Sequence, residues 1–168
     1  MTSLRHAEYG HAMVDRIEVS KDVPAPAAVV WRLVSDLPRM GEWSPENAGG
    51  EWVKGATGPA PGAKFKGHNA NGSKTWSTLA TVIDATPDER FSFLVTVGPL
   101  KVAEWAFDIA PTDDGCTVTE TWVDRRGRLM RKFAPMATGV DDRAEHNRTG
   151  MEQTLRRVAA AAVRETMP

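Results

Sequence analysis

Residues 64–85 read KFKGHNANGSKTWSTLATVIDA, and their pattern decides what kind of fold the chain can adopt. Phe65, Gly67 and Asn69 fall in phase over Lys64–Ala70, and Trp76, Thr78, Ala80 and Val82 fall in phase over Lys74–Ala85. A period of two with aromatic and β-branched residues marks a half-buried strand. Between the two runs lies Asn71-Gly72, a strong hairpin signal because tight hairpin turns need positive φ at their centres. Two strands joined this way are antiparallel neighbours.

The same alternation continues towards the C-terminus. Pro87-Asp88 turns the chain, and Phe91, Phe93, Val95 and Val97 mark the next strand. Trp105, Phe107 and Ile109 mark another, and Asp113-Asp114-Gly115 leads into Thr117–Asp124 with Val118, Glu120 and Trp122 in phase. The result is an antiparallel meander. On the N-terminal side, Val14–Val23 alternates through Ile17, Val19 and Val23, and Pro24-Ala25-Pro26 ends that strand. Val30, Leu33 and Val34 then recur at helical spacing, so Ala27–Asp36 reads as a short amphipathic helix. Met40–Trp43 forms a further brief turn, Glu51–Lys54 a short strand, and Gly55–Gly62 a loop. After the meander, Asp141 and Asp142 suit the positive end of a helix dipole. Asn147, Met151, Leu155, Val158 and Ala162 then recur at three- and four-residue steps, a single stripe on a helix ~35 Å long. One strand, a short helical stretch, a run of strands and a long final helix predict an α+β architecture, a curved antiparallel sheet wrapped around the C-terminal helix.

Bulk properties narrow the function. The 168 residues fit one domain, read as a loosely held arm over 1–13 followed by a ligand-binding domain over 14–168. A net charge of -1 gives no reason to expect nucleic acid. Cys116 is the sole cysteine, which excludes an internal disulfide and suits a reducing, cytoplasmic setting. No apolar run approaches the roughly 20 residues that span a bilayer. There is no dinucleotide glycine fingerprint, P-loop, nucleophile elbow or paired-histidine zinc motif, so neither a cofactor nor a metal is expected.

What remains is an aromatic set. Trp76, Phe93, Trp105, Phe107 and Trp122 share one face of neighbouring strands, with Phe65 nearby. A single one of them is most simply core. A strongly curved sheet, however, is not filled by one helical stripe of Met, Leu and Ala, and the leftover volume becomes an apolar cavity. Asn69 and Glu120 fall in phase with these apolar neighbours and so face inward. An inward carboxyl must be paired or change its pKa. Glu120 is then a polar anchor for a ligand or a general acid/base. The alternatives are a salt bridge to an arginine, or a register one residue off that turns it to solvent. His68 falls out of phase, and His146 lies one position off the helix stripe, at a rim or on the surface. The basic stretch Arg125–Phe133 reads as a solvated connector or as a portal. In the second case Leu129, Met130, Phe133 and Met136 cover the pocket, and the cations meet an anionic head group or a membrane surface.

These residues resemble the SRPBCC superfamily, which groups START domains, birch-pollen allergens and polyketide cyclase/dehydrases. The resemblance runs over roughly 15–164. It is carried by Pro-Ala-Pro-Ala-Ala-Val-Val-Trp at 24–31, Trp43-Ser44-Pro45, the run from Gly62 to Asn69, and Trp76. Trp105-Ala106-Phe107, the run from Gly115 to Glu120, and Gly150-Met151-Glu152-Gln153-Thr154-Leu155 complete it. The resemblance implies a helix-grip fold with a deep cavity between sheet and C-terminal helix. It also implies binding of a lipid, sterol, polyketide or hormone, with cyclisation or aromatisation in some members. The residues expected to hold such a ligand are Phe65, Asn69, Trp76, Phe93, Trp105, Phe107, Glu120, Trp122, Asn147, Met151 and Leu155, with Phe133 and Met136 at the entrance. The competing expectations are a cyclase or dehydratase in which Glu120 moves a proton, and an interaction module that exposes an apolar patch. Oligomeric state is left open.

Overall fold

The computed structural model describes residues 15–168, so the arm expected over 1–13 lies outside the described residues. Seven strands form one sheet: β1 (Arg16–Val23), β2 (Asn47–Val53), β3 (Lys64–Asn71), β4 (Lys74–Thr86), β5 (Arg90–Val97), β6 (Leu100–Thr112) and β7 (Gly115–Asp124). Their spatial order is β1-β7-β6-β5-β4-β3-β2, and every pairing is antiparallel. Among the described residues there are three α-helices, α1 (Ala27–Ser35), α2 (Arg128–Thr138) and α3 (Arg143–Thr166), with a 3₁₀ turn over Leu37–Glu42. This is an open antiparallel sheet with a long C-terminal helix, the helix-grip arrangement.

The registers put the expected residues on one face. Phe65 pairs with Ala80, Val82 with Phe93, Phe93 with Trp105, and Trp105 with Trp122. Glu120 stands between Phe107 on β6 and Val19 on β1. Part of this face is closed. Val30, Leu33 and Val34 of α1 and Leu155, Val158 and Ala162 of α3 pack with Phe91, Phe107 and Val118 in one buried cluster. A large aliphatic or aromatic side chain buried in this way contributes about 1.5–3 kcal/mol. Asp142 caps α3, its carboxylate accepting from the Glu145 amide at 3.0 Å.

Four sequence expectations shift. The β3–β4 turn is centred on Gly72-Ser73 and not on Asn71-Gly72. Gly72 alone takes the left-handed conformation, at φ +57°, and Asn71 still pairs with Lys74. The turn needs positive φ only at its first centre, the pattern that glycine there satisfies. The β5–β6 hairpin repeats it with Gly98 at φ +55° before Pro99. Strand β2 begins at Asn47, four residues earlier than its apolar content indicates. It is irregular between Asn47 and Gly50, where Gly49 and Gly50 both have positive φ. The segment after β7, read as a solvated connector or a portal, is the helix α2. Its mixture of basic and apolar residues has helical periodicity, but none of its side chains is buried. Phe133 and Met136, expected to guard the entrance, are exposed and do not line the cavity.

Candidate functional site

Between the inner face of the sheet, the first turns of α3 and the inner side of α2 lies a cavity of about 360 Å³. That volume is at the small end of ligand pockets. The apolar wall is formed by Phe65, Trp76, Phe93, Trp105, Phe107 and Trp122, and α2 contributes Met130, Ala134 and Ala137. The wall exists because β3 to β7 all present their in-phase residues to the same side. It stays open because α3 packs its Leu155–Ala162 half against the core cluster and only its first turns approach the cavity. Met151 and Leu155, expected as lining, are instead buried in that packing: Leu155 in the cluster with α1, Met151 with Ile17, Ala103 and Trp122. A stripe residue one turn further along the helix meets neighbouring side chains, not open space.

Glu120 is the deepest polar group of the wall. It is 3 % exposed, and its Oε2 is buried with no hydrogen-bond partner. Its neighbours across the strands and along β7 are Phe107, Val19, Val118 and Trp122, none of which donates a hydrogen bond to it. No cation pairs with it among the described residues, so the arginine alternative does not apply. Burial pushes its carboxyl well above the ordinary glutamate range. A carboxyl held neutral donates through its O–H and accepts through its C=O.

Asn69 and Asn147 also line the cavity. The Asn69 Nδ2 donates to Thr78 Oγ1 at 3.3 Å, leaving its carbonyl oxygen for other use. Asn147, 7 % exposed, comes from the first turns of α3.

Two polar groupings escape the sequence reading, which places His146 at a rim or on the surface but without partners. Glu46, just before β2, accepts from Arg143 Nη1 with both carboxylate oxygens at 2.8 Å and lies 2.7 Å from His146 Nε2. Glu46 and Arg143 border the cavity, and His146 takes a rim position beside them. The partners lie about a hundred residues apart in the chain, and only the approach of α3 to the start of β2 unites them. Arg126 forks onto Asp124, Nε to Oδ1 at 2.9 Å and Nη2 to Oδ2 at 2.7 Å, at the end of β7 where α2 begins. Burial alone would push the Asp124 carboxyl up, but the hydrogen bonds and charge of Arg126, with Arg131 behind it, hold it below its usual range. The signal for Arg126 was its place in the basic stretch, which exposure-minded reading assigns to solvent.

Comparison with known proteins places this geometry in a family. A family model described as polyketide cyclase / dehydrase and lipid transport matches residues 15–163. The Polyketide_cyc-like protein Cgl2372 from Corynebacterium glutamicum is 32 % identical, covering 87 % of this chain and 81 % of its own, with a TM-score of 0.50. The di-domain ARO/CYC StfQ from the steffimycin biosynthetic pathway superposes with a TM-score of 0.69 at 13 % identity. That match covers 90 % of this chain and 51 % of StfQ. Protein CV1439 from Chromobacterium violaceum gives a TM-score of 0.65 at 14 % identity, over 88 % of this chain and 97 % of its own. At such identities the last two share the fold, and no curated protein matches the chain in sequence. The family match over nearly the whole described length and the 32 % identical relative show that this chain belongs to the polyketide cyclase/dehydrase and lipid transport family.

Proposed function

We propose that the protein binds a hydrophobic small molecule, lipid or polyketide-like, within this cavity, and that Glu120 in its neutral form orients the molecule by hydrogen bonding. One observation carries the reading: a carboxyl is buried without a partner in the aromatic wall of the cavity. A buried polar group left unmatched costs roughly 1–3 kcal/mol. A ligand carbonyl or hydroxyl would remove that cost. Trp76, Phe93, Trp105 and Trp122 would supply apolar contact, and Asn69 and Asn147 would fix the other end of the molecule. The family description, which joins cyclases with lipid transport, supports the coarse class.

A second reading is favoured by the same carboxyl. A glutamate whose pKa is raised by burial is suited to general acid/base catalysis, and a cyclase or dehydratase would use it to exchange a proton with an enolisable carbonyl compound. Native mass spectrometry of gently purified protein, with extraction and identification of bound material, tests the first reading. A lipid or polyketide at one-to-one stoichiometry is the expected result. Protein that is empty, and that gains no apolar ligand on titration, refutes it. Glu120→Gln separates the readings, because the amide still donates a hydrogen bond but transfers no proton: a carrier keeps its ligand, whereas an enzyme loses turnover.

A further inference from the structure

Helix α2 carries more apolar surface than the cavity uses. Met130, Ala134 and Ala137 line the cavity, while Leu129, Phe133 and Met136 are 72 %, 50 % and 73 % exposed. Their spacing of four and then three residues places these three in one outward stripe. Arg128 and Lys132, one turn apart beside the stripe, are exposed and form no ion pair among the described residues. From Arg125 to Gly139 the chain has five cations and no carboxylate, in a protein of net charge -1. The other three cations are engaged: Arg125 with Glu104 at 2.7 Å, Arg126 with Asp124, and Arg131 with Asp15 at 2.9 Å. At the tip of the β5–β6 hairpin, Val97 and Leu100 are exposed on either side of Gly98-Pro99, next to Lys101. Val97 and Met130 border the same cavity.

The attachment of α2 is at its ends. Arg131 donates to the Arg126 carbonyl at 3.0 Å near the start, and Asn71 Nδ2 donates to the Thr138 carbonyl at 2.9 Å at the finish. In between, Pro135 removes one internal hydrogen bond.

We propose that the outer stripe of α2, together with the β5–β6 tip, docks on an anionic lipid surface with the cavity mouth turned towards the lipid. A short apolar stripe flanked by cations is the geometry of a helix lying in a membrane interface. The charge selects the occupant. In a twofold pair of this chain the same patch meets itself, and Arg128 and Lys132 of one copy would face those of the other. An anionic head-group layer meets both cations favourably and accepts Leu129, Phe133 and Met136 below it. The docking rests on this surface alone; its use, exchange of a ligand with the membrane, rests on the cavity reading above.

The test is flotation of the full chain with vesicles of phosphatidylcholine, with and without phosphatidylserine. Wild type should float with the anionic vesicles only and detach as salt is raised. Arg128→Gln with Lys132→Gln should lower partitioning about 25-fold, since each cation near an anionic surface contributes ~1 kcal/mol, or about fivefold. Phe133→Ser with Met136→Ser should abolish flotation. Because these side chains are exposed, melting temperature should not change in either variant. Titration with an apolar fluorescent probe should be unchanged too, so failure of docking and failure of the cavity reading are told apart. Absence of flotation, or flotation equal on both vesicle types, overturns the proposal. So does a dimer in sedimentation velocity that Phe133→Ser disperses. Retention on immobilised polyglutamate without flotation, dependent on Arg128 and Lys132, overturns it in favour of an acidic protein partner.

Discussion

Glu120 faces inward because β7 alternates without a break from Val118 to Trp122, and a strand that buries Trp122 must bury its second neighbour as well. The consequence is measurable as pH dependence. Burial raises the folded-state pKa above the usual glutamate value of 4.5. Between 4.5 and that raised value the native state therefore holds more protons than the unfolded chain. Stability then falls as pH rises through this interval, because the slope follows the protons bound by the unfolded state minus those bound by the native state. Glu120→Gln has no such proton to lose, so its denaturant midpoint should stay level where that of wild type declines. Parallel curves for the two proteins would mean that Glu120 is solvated. Trp76 offers the complementary case. It is only partly buried and borders the cavity, so Trp76→Ala should cost less than the ~3–5 kcal/mol of a fully packed aromatic. Affinity for an apolar ligand should fall about tenfold, or 1.4 kcal/mol. Comparison of chemical denaturation with ligand titration checks this, and equal losses in both would return Trp76 to the core.

The elements differ in how openly the sequence announces them, and the reason is what each one packs against. The strands from β3 to β7 and helix α3 bury one face, so their periods of two and of three to four are written in apolar residues. Helix α2 fully buries no side chain, has no side-chain cap at its start and contains Pro135, so only the left-handed Gly139 at its end marks it. Strand β2 opens with Asn47, Ala48, Gly49 and Gly50, and its register is set by glycine conformations that hydrophobic pattern does not encode. For the same reason the apolar wall of the site was readable, whereas Glu46, Arg143 and His146 meet only through tertiary approach. The acidic start of α3 was readable, and the cap found there is testable. Asp142→Ala removes the acceptor of the Glu145 amide, which should cost ~1 kcal/mol. For a chain of this size that lowers the melting temperature by roughly 2–4 °C in calorimetry. No change would show that the Arg143–Glu46 pair alone holds the first turn.

Sheet, α3 and α2 enclose a space that the core cluster leaves unfilled, and the two ends of the inner face behave differently as a result. Near α1, side chains meet side chains. Near α2, Trp76, Phe93 and Trp105 meet an opening. A ligand that occupies this opening binds the folded state only and must stabilise it by mass action. At a concentration a hundredfold above Kd the gain is ~2.7 kcal/mol, which corresponds to an upward shift in melting temperature of roughly 5–10 °C at this chain length. A cavity of about 360 Å³ also limits what can enter it. In a homologous series of apolar ketones or alcohols, the shift should grow with size until that volume is filled. It should then stop growing unless the ends of α2 yield. Thermal melts across such a series, repeated with alkanes of matched volume, read both effects. Oxygenated members should shift the melt more than the alkanes in wild type. That advantage comes from Glu120, so replacing Glu120 by leucine should erase it while leaving the alkane response in place. A shift insensitive to size, or an oxygen advantage that survives Glu120→Leu, would place the ligand elsewhere on the protein.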